Sequence, residues 1–198
     1  MKNKRKLIGV YDYTVILTYL SLVSAVIGMM MAVKKKFTFS VLCLVLSGIC
    51  DAFDGIVARS KKDRTEEEKA FGIQLDSLCD VIAFGFFPAF FGYFIGTNGI
   101  IGVIIVCLYC VCAVCRLAFF NVLEGKRQKE EDGCAKYYRG LPVTSISIIL
   151  PIAYVIGMLM SETAFTAVIH ILLLVTSFLF VFDFRVPKPD WKKILTGK

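Results

Sequence analysis

The chain has 198 residues, of which 57% are hydrophobic and 20% are charged, and its formal net charge is +7. Its mean hydropathy of +0.71 is far above that of a water-soluble domain. This composition excludes a soluble globular protein and predicts an all-α integral membrane protein, because helices satisfy their own backbone hydrogen bonds inside a bilayer.

Six apolar runs approach or exceed the roughly 20 residues that a helix needs to cross a bilayer. They cover about 13–33, 37–58, 70–95, 99–121, 142–160 and 163–184. The third run is long and contains Gly85 and Pro88, so we expect it to be tilted or kinked. The links are short, and we therefore predict one membrane domain over 1–198 with short tails at 1–12 and 185–198.

The basic residues are divided unevenly between the two sides of such a membrane domain. Six spans would place both termini on one side, and the opposite side would hold only Lys34, Lys35 and Lys36 of the 23 Lys and Arg residues. By the positive-inside rule both termini are then cytoplasmic. The surplus of positive charge indicates membrane topology, so we expect a protein of the cell membrane and no nucleic-acid partner.

Four aspartates interrupt the second and third apolar runs, where charged groups are costly and usually functional. Asp51 and Asp54 are three residues apart, and Asp76 and Asp80 are four apart, so each pair shares one helix face. At about 1.5 Å per residue, the first pair lies roughly 6–10 Å and the second roughly 9–15 Å inside the cytoplasmic end of its span. Antiparallel neighbours would bring all four carboxylates to a similar depth, and their all-oxygen chemistry favours Mg²⁺ or Mn²⁺.

Small residues accompany the aspartates. Gly48, Gly55 and Ala58 run beside the first pair, and Gly72 precedes Asp76 by one helical turn. Such residues allow either close packing of helices or close approach of a ligand to the backbone. Beside four carboxylates, a bound nucleotide or phosphate becomes the stronger interpretation, and the combination suggests phosphoryl transfer.

The stretches "DAFDGIVAR" (51–59) and "GIQLDSLCD" (72–80) match the signature D-x-x-D-G-x-x-A-R, spacer, G-x-x-x-D-x-x-x-D. On this motif the chain resembles the CDP-alcohol phosphotransferase family. All eight fixed positions are present: Asp51, Asp54, Gly55, Ala58, Arg59, Gly72, Asp76 and Asp80. One departure is the spacer of twelve residues between Arg59 and Gly72, which is longer than in the commonest family form. The longer spacer affects the expected contacts of the loop with the nucleotide, but it does not affect the expected roles of the aspartates.

The resemblance implies a reaction in which a second alcohol displaces CMP from a CDP-linked alcohol. It implies divalent metal, with two ions expected, at four ligands: Asp51, Asp54, Asp76 and Asp80. It also implies that Asp80 is the general base for the attacking hydroxyl. The nucleotide would be held beside Asp54 by four further residues: Gly55, Ala58 and Gly72 at the cytidine, and Arg59 at the phosphates. The family resemblance further suggests a homodimer.

Two more stretches, "CRLAFFNV" (115–122) and "YYRGLPVT" (137–144), resemble the phosphatidylserine synthase branch of this family. That branch implies CDP-diacylglycerol as the donor and L-serine as the acceptor. The carboxylate of serine needs a cation, and Arg116 and Arg139 are the candidates. Alternatively, Arg116 only balances the aspartates and Arg139 only follows the positive-inside rule. Asn121 is a further candidate, but a regular helix turns it off the face of Arg116, so the helix would have to end or distort there.

Two alternative functions stay open at the level of sequence. The acceptor could be glycerol 3-phosphate or an inositol, although a phosphorylated acceptor would want more than one or two spare arginines. A Mg²⁺ channel or transporter would also place carboxylates in its spans, but would not need the Gly-Ala-Arg pattern beside them. The charged run "RTEEEK" (64–69) indicates a solvated loop or a capped helix start more than a functional site. The polar stretch 123–136 suits either an interfacial segment or a flap over the site.

Overall fold

The computed structural model describes residues 9–61, 63–96, 99–129 and 137–187, and this part of the chain is helical apart from one short ribbon. The helices are α1 (Ile16–Val33), α2 (Phe37–Ser60), α3 (Glu66–Asp80), α4 (Phe87–Ile95), α5 (Ile100–Lys129), α6 (Ile146–Gly157) and α7 (Glu162–Val181). Single 3-10 turns, Tyr13–Val15 and Val143–Ser145, precede α1 and α6, and a π-helical segment, Val81–Phe86, joins α3 to α4.

Within the described ranges, five helices are long and apolar enough to cross a membrane. They are Tyr13–Val33, Phe37–Ala58, Glu66–Ile95, Ile100–Leu123 and Glu162–Val181. The predicted all-α integral membrane architecture is thus confirmed. The remaining predicted span corresponds to a shorter apolar helix, Val143–Gly157, so the count of six spans and the side of the termini stay predictions.

The third span contains the irregularity that its sequence indicates. Pro88 lacks an N–H, so the carbonyl of Phe84, four residues earlier, has no α-helical donor. The hydroxyl of Tyr109 on α5 donates to that carbonyl at 2.8 Å, and Tyr109 is fully buried. The expected kink therefore takes the form of a π-helical segment, which begins directly after Asp80.

Helices α1 and α2 pack closely through serines. Ser24 donates to the carbonyl of Cys43 at 2.8 Å, and Ser40 donates to the carbonyl of Gly28 at 2.8 Å. Small hydroxyl residues let two helices approach and also bond across the contact. This pairing sets the register of α2 on α1, which fixes the part of α1 that faces the aspartates.

Apolar side chains face outward along the spans. On α2, Leu42, Leu46, Ile49 and Phe53 are all about half exposed or more. A continuous apolar surface of this kind is what a helix presents to lipid.

Two features differ from the sequence-based expectation. Helix α5 continues to Lys129, past the predicted end at 121, and includes the first part of the polar stretch 123–136. The rest of that stretch, 130–136, lies outside the described residues. Strands β1 (Tyr137–Arg139) and β2 (Arg185–Pro187) pair antiparallel, so the start of the predicted C-terminal tail is attached to the segment before α6.

The structure confirms that the charged run 64–69 contains a capped helix start. Thr65 accepts a hydrogen bond from the backbone of Glu68, and the Glu68 carboxylate accepts one from the backbone of Thr65. This capping box begins α3 and therefore orients the helix that carries Asp76 and Asp80.

Candidate active site

The structure brings the four aspartates of α2 and α3 to one cavity of about 210 Å³. Asp51, Asp76 and Asp80 each offer one carboxylate oxygen, and these three oxygens lie within 4.8 Å of one another. The three- and four-residue spacings explain the arrangement, because each pair occupies one face of its own helix. The other lining residues come from α5 and from the start of the α6 segment: Arg116, Leu117, Phe120, Pro142, Val143 and Thr144.

The donor set fits a hard divalent cation. All three clustered ligand atoms are carboxylate oxygens, which Mg²⁺ and Mn²⁺ prefer. In addition, Oδ1 of Asp76 is buried and has no hydrogen-bond partner among the described residues. A buried carboxylate oxygen without a donor is unfavourable, so a cation at this point would satisfy it.

Asp54 differs from the other three aspartates in its contacts. It is buried, and its Oδ2 accepts a hydrogen bond of 3.1 Å from Thr18 on α1. Sequence reasoning missed Thr18. The available signal was the run of hydroxyls at Thr18, Ser21 and Ser24, whose three-residue spacing marks one polar face within an apolar helix.

Arg116 lies on the wall of the cavity that α5 provides. Its side chain is only 6% exposed, its Nε donates to the carbonyl of Leu141 at 3.2 Å, and its guanidinium lies 5.9 Å from the ring centroid of Phe120. Arg116 also lines a second cavity, of about 310 Å³, with the end of α7 and Asp183. A buried cation thus lines the same cavity as the four aspartates.

Asn121 does not share the cavity with Arg116. Helix α5 neither ends nor changes form at this position, and the side-chain oxygen of Asn121 accepts a hydrogen bond of 2.6 Å from Ser77 on α3. Asn121 therefore ties α5 to the helix of Asp76 and Asp80. The side chains of Arg59 and Arg139 lie outside the described residues, and only their backbone positions, in α2 and β1, are known.

The small residues have different neighbours. At Gly48 an added Cβ would lie 2.2 Å from Oγ of Ser147, so this glycine serves the packing of α2 on α6. At Gly72 an added Cβ would lie 2.6 Å from Nη2 of Arg64. Sequence reasoning did not single out Arg64, which belongs to the longer spacer. Gly55 is half-buried, and the carbonyl of Ala58 accepts a weak hydrogen bond of 3.5 Å from Arg64.

An ion pair joins the ends of α1 and α2 outside the spans. Nζ of Lys61 lies 2.7 Å from Oδ2 of Asp12 and 3.6 Å from a carboxylate oxygen of Glu68. Burial alone would raise the pKa of Asp12, but hydrogen bonds from Lys61 and Thr14 outweigh it and lower the pKa to about 2. The pair holds the start of α1 against the loop that leads to α3.

Comparison with known proteins agrees with the resemblance in the motif. The sequence profile of the CDP-alcohol phosphatidyltransferase family matches residues 14–182. A CDP-diacylglycerol–serine O-phosphatidyltransferase of Saccharomyces cerevisiae is 34% identical over 113 residues, which are 56% of this chain and 40% of the relative. One of the same name from Helicobacter pylori is 38% identical over 104 residues, 50% of this chain and 42% of the relative.

An archaetidylserine synthase of Methanothermobacter thermautotrophicus is 26% identical over 158 residues, 79% of this chain and 64% of the relative. The matched part of the chain therefore spans less than two thirds of the length of each of these relatives. The family match, in contrast, extends from the start of the first span to the end of the last and includes all four aspartates. The chain belongs to the CDP-alcohol phosphatidyltransferase family.

Proposed function

We propose that this protein transfers the phosphatidyl group of CDP-diacylglycerol to L-serine and so forms phosphatidylserine and CMP. The observation that carries the proposal is the cavity in which four signature aspartates face a buried arginine. The names of the relatives, two of them serine phosphatidyltransferases, support the same donor and acceptor.

Two divalent ions, Mg²⁺ or Mn²⁺, would be held by Asp51, Asp76 and Asp80, with Asp54 completing the site. When bound, such ions neutralise the pyrophosphate and stabilise the charge on the departing CMP. Asp54 would reach the ions from the side of α1, where the hydrogen bond from Thr18 orients its carboxylate. The orphaned Oδ1 of Asp76 supports this assignment.

The chain's own residues would then perform the transfer as follows. Asp80 accepts the proton of the serine hydroxyl while the serine oxygen bonds to the phosphatidyl phosphorus, and the bond from that phosphorus to the CMP oxygen breaks. CMP leaves with the electron pair of the broken bond, and Asp80 returns its proton to water. Gly55, Ala58 and Arg59 hold the nucleotide, with Gly72 on α3 opposite them.

Arg116 is the best candidate for the serine carboxylate. Among the described residues that line the cavity it is the only cation, and its Nε is already engaged with the carbonyl of Leu141. That bond orients the guanidinium within the wall of the cavity. A phosphorylated acceptor such as glycerol 3-phosphate carries more negative charge than one arginine balances, so serine suits the cavity better. Arg139 is proposed as a second cation for the acceptor or a phosphate, and Asn121 as a residue that positions α3 through its hydrogen bond with Ser77.

Release of CMP tests the proposal directly. Purified protein in lipid micelles with CDP-diacylglycerol and Mn²⁺ should release CMP when serine is supplied, and much less with glycerol 3-phosphate or inositol. Preference for either of these would reassign the acceptor within the same family. Absence of CMP release with every acceptor, together with Mg²⁺ flux into proteoliposomes, would favour the channel or transporter instead.

Substitution of Arg116 separates its two possible roles. Arg116→Lys keeps the charge but loses the bidentate fork. If Arg116 holds the carboxylate of serine, the KM for serine should rise more than the KM for CDP-diacylglycerol. An equal rise in both values would place Arg116 in a purely structural role.

We further propose that the chain is one domain with six spans, that both termini and the active site face the cytoplasm, and that it acts as a homodimer in the cell membrane. The uneven distribution of Lys and Arg supports the orientation. A protease-accessible tag placed after residue 198 should be cleaved from the cytoplasmic side only. Light scattering in detergent measures the oligomeric state.

A further inference from the structure

Among the described residues of the long spacer, Arg64 is the one whose side-chain contacts lead toward the proposed site. Its Nη2 donates to the carbonyl of Glu68 at 2.9 Å, and its Nη1 makes the weak contact with the carbonyl of Ala58 at 3.5 Å. Its Nε is buried and has no hydrogen-bond partner among the described residues. The guanidinium is therefore held in place at two nitrogens while the third still lacks an acceptor.

The position of this guanidinium relative to the aspartates is defined by its two neighbours. Ala58 follows Asp54 by four residues on α2, and Gly72 precedes Asp76 by four residues on α3. Both lie about 6 Å from the aspartates along their helices, toward the loop that joins α2 to α3. Nη2 of Arg64 approaches Gly72 so closely that a Cβ there would lie 2.6 Å from it. The absence of a side chain at Gly72 is thus what admits the guanidinium.

The parts of a CDP-linked lipid have different places in such a site. The pyrophosphate belongs at the aspartates with the metal, and the acyl chains stay in the bilayer because they are apolar. The cytidine is the remaining polar part, and it extends from the aspartates toward the loop, where Arg64 lies. A guanidinium only donates hydrogen bonds, so its partner must offer acceptors. Cytosine presents two adjacent acceptors, O2 and N3, on one edge.

We propose that Arg64 recognises the cytosine ring of the donor by donating hydrogen bonds to its O2 and N3. This inference rests on the proposed function and adds a residue that determines the specificity for the nucleotide. The longer spacer is then the element that delivers the arginine, since the capping box at Thr65 and Glu68 fixes the chain immediately after it. Uracil carries a hydrogen on N3, so it can accept only one of the two bonds, and Arg64 thereby discriminates cytidine from uridine.

The test compares the binding of CMP and UMP, in the presence of Mn²⁺, to the purified full-length protein by calorimetry. Arg64→Met keeps the length of the side chain and removes every donor. We expect it to weaken CMP binding by about tenfold or more and to change UMP binding much less, so that the preference for CMP falls. Arg64→Lys should restore little of this preference, because an ammonium lacks the planar fork. Lys69→Met, an exposed cation of α3 that pairs with Glu66, is the matched control and should leave both affinities unchanged.

A second variant tests the contact between Arg64 and Gly72 by changing the glycine. Gly72→Ala displaces the guanidinium without altering Arg64, and it should lower the preference for CMP in the same direction. Mn²⁺ affinity, measured separately, should be the same in wild type and Arg64→Met, which shows that the aspartate cluster is intact.

Three results would overturn the inference. Equal losses of CMP and UMP affinity in Arg64→Met would assign Arg64 to a phosphate. Unchanged or tighter CMP binding would mean that the side chain supports the loop or obstructs the site. Failure of the wild type to bind CMP with metal present would remove the proposed function and this inference together, whereas the first two results leave the proposed function standing.

Discussion

Replacement of Asp51 by asparagine should have opposite effects on stability in the absence and in the presence of metal. The oxygens of Asp51, Asp76 and Asp80 lie within 4.8 Å of one another. Two unit charges at that separation repel by about 3.5 kcal/mol at an effective dielectric constant of about 20. Asp51→Asn preserves the size of the side chain and removes two of the three repulsions, about 7 kcal/mol for three fully ionised carboxylates.

Even a quarter of that energy is measurable. About 2 kcal/mol corresponds to a Tm higher by about 4–8 °C in a chain of this size. In EDTA the variant should therefore be more stable than the wild type. With Mn²⁺ at a hundred times its Kd, the wild type gains about 2.7 kcal/mol, and the variant gains less because it has lost a charged ligand. The advantage of the variant should then shrink or reverse.

Thermal unfolding in detergent, followed with a thiol-reactive fluorophore, measures both effects. Cys50 and Cys79 are free and buried, so they react when the helices separate. Asp63→Asn removes an exposed carboxylate from the loop before α3 and is the control for the change of charge alone. If Asp51→Asn melts at or below the wild-type temperature in EDTA and shows an undiminished shift with Mn²⁺, the three carboxylates do not form a metal site.

Three further predictions concern packing, pH and catalysis. Gly48→Ala should lower stability by about 1–3 kcal/mol, since its Cβ would lie 2.2 Å from Oγ of Ser147, and Ser147→Gly should restore the Tm of the double variant. Burial raises the pKa of Asp12, but the interactions with Lys61 and Thr14 together outweigh it and lower the pKa from 3.8 to about 2. The stabilisation by Asp12 is therefore complete above pH 3.8 and lost as the pH falls through 2, so the Tm difference from Asp12→Asn, worth up to about 1 kcal/mol, should vanish over that window and not at neutral pH. Asp80→Asn should lower kcat by about 10²–10⁴-fold with CMP affinity retained, and rescue by high Mg²⁺ would show that Asp80 is only a ligand.

The meeting of the aspartates was predictable from sequence because it needs only local geometry. The three-residue spacing of Asp51 and Asp54 and the four-residue spacing of Asp76 and Asp80 each define one helix face, and a short link makes the two helices antiparallel neighbours. The structure places all four at one cavity. The finer arrangement was not predictable. All four aspartates were predicted as ligands, but the sequence could not show that Asp80 clusters with Asp51 and Asp76 while Asp54 accepts a hydrogen bond from Thr18.

The features that sequence reasoning missed depend on contacts between distant segments. The sequence left the polar stretch 123–136 open between an interfacial segment and a flap, but Glu, Lys, Arg and Gln are good helix formers, and α5 continues through its first part to Lys129. The ribbon joins Tyr137–Arg139 to Arg185–Pro187, and three-residue strands carry no periodicity of their own. Arg64 belongs to a spacer without any repeating pattern, so only the fold reveals that its long side chain reaches Gly72.

The π-helical segment after Asp80 allows one span to face the site with its first half and the apolar core with its second half. An additional residue in a helix rotates everything beyond it by about 100°. Asp76 and Asp80 face the cavity toward α2 and α5, whereas Phe87 and Phe91 beyond the segment are fully buried in the apolar core. A regular α-helix over 66–95 would turn one of these two sets away from its partners. The buried hydroxyl of Tyr109 donates to the carbonyl of Phe84, which Pro88 leaves without an α-helical donor. The core therefore stabilises the π-helical segment that orients the aspartates.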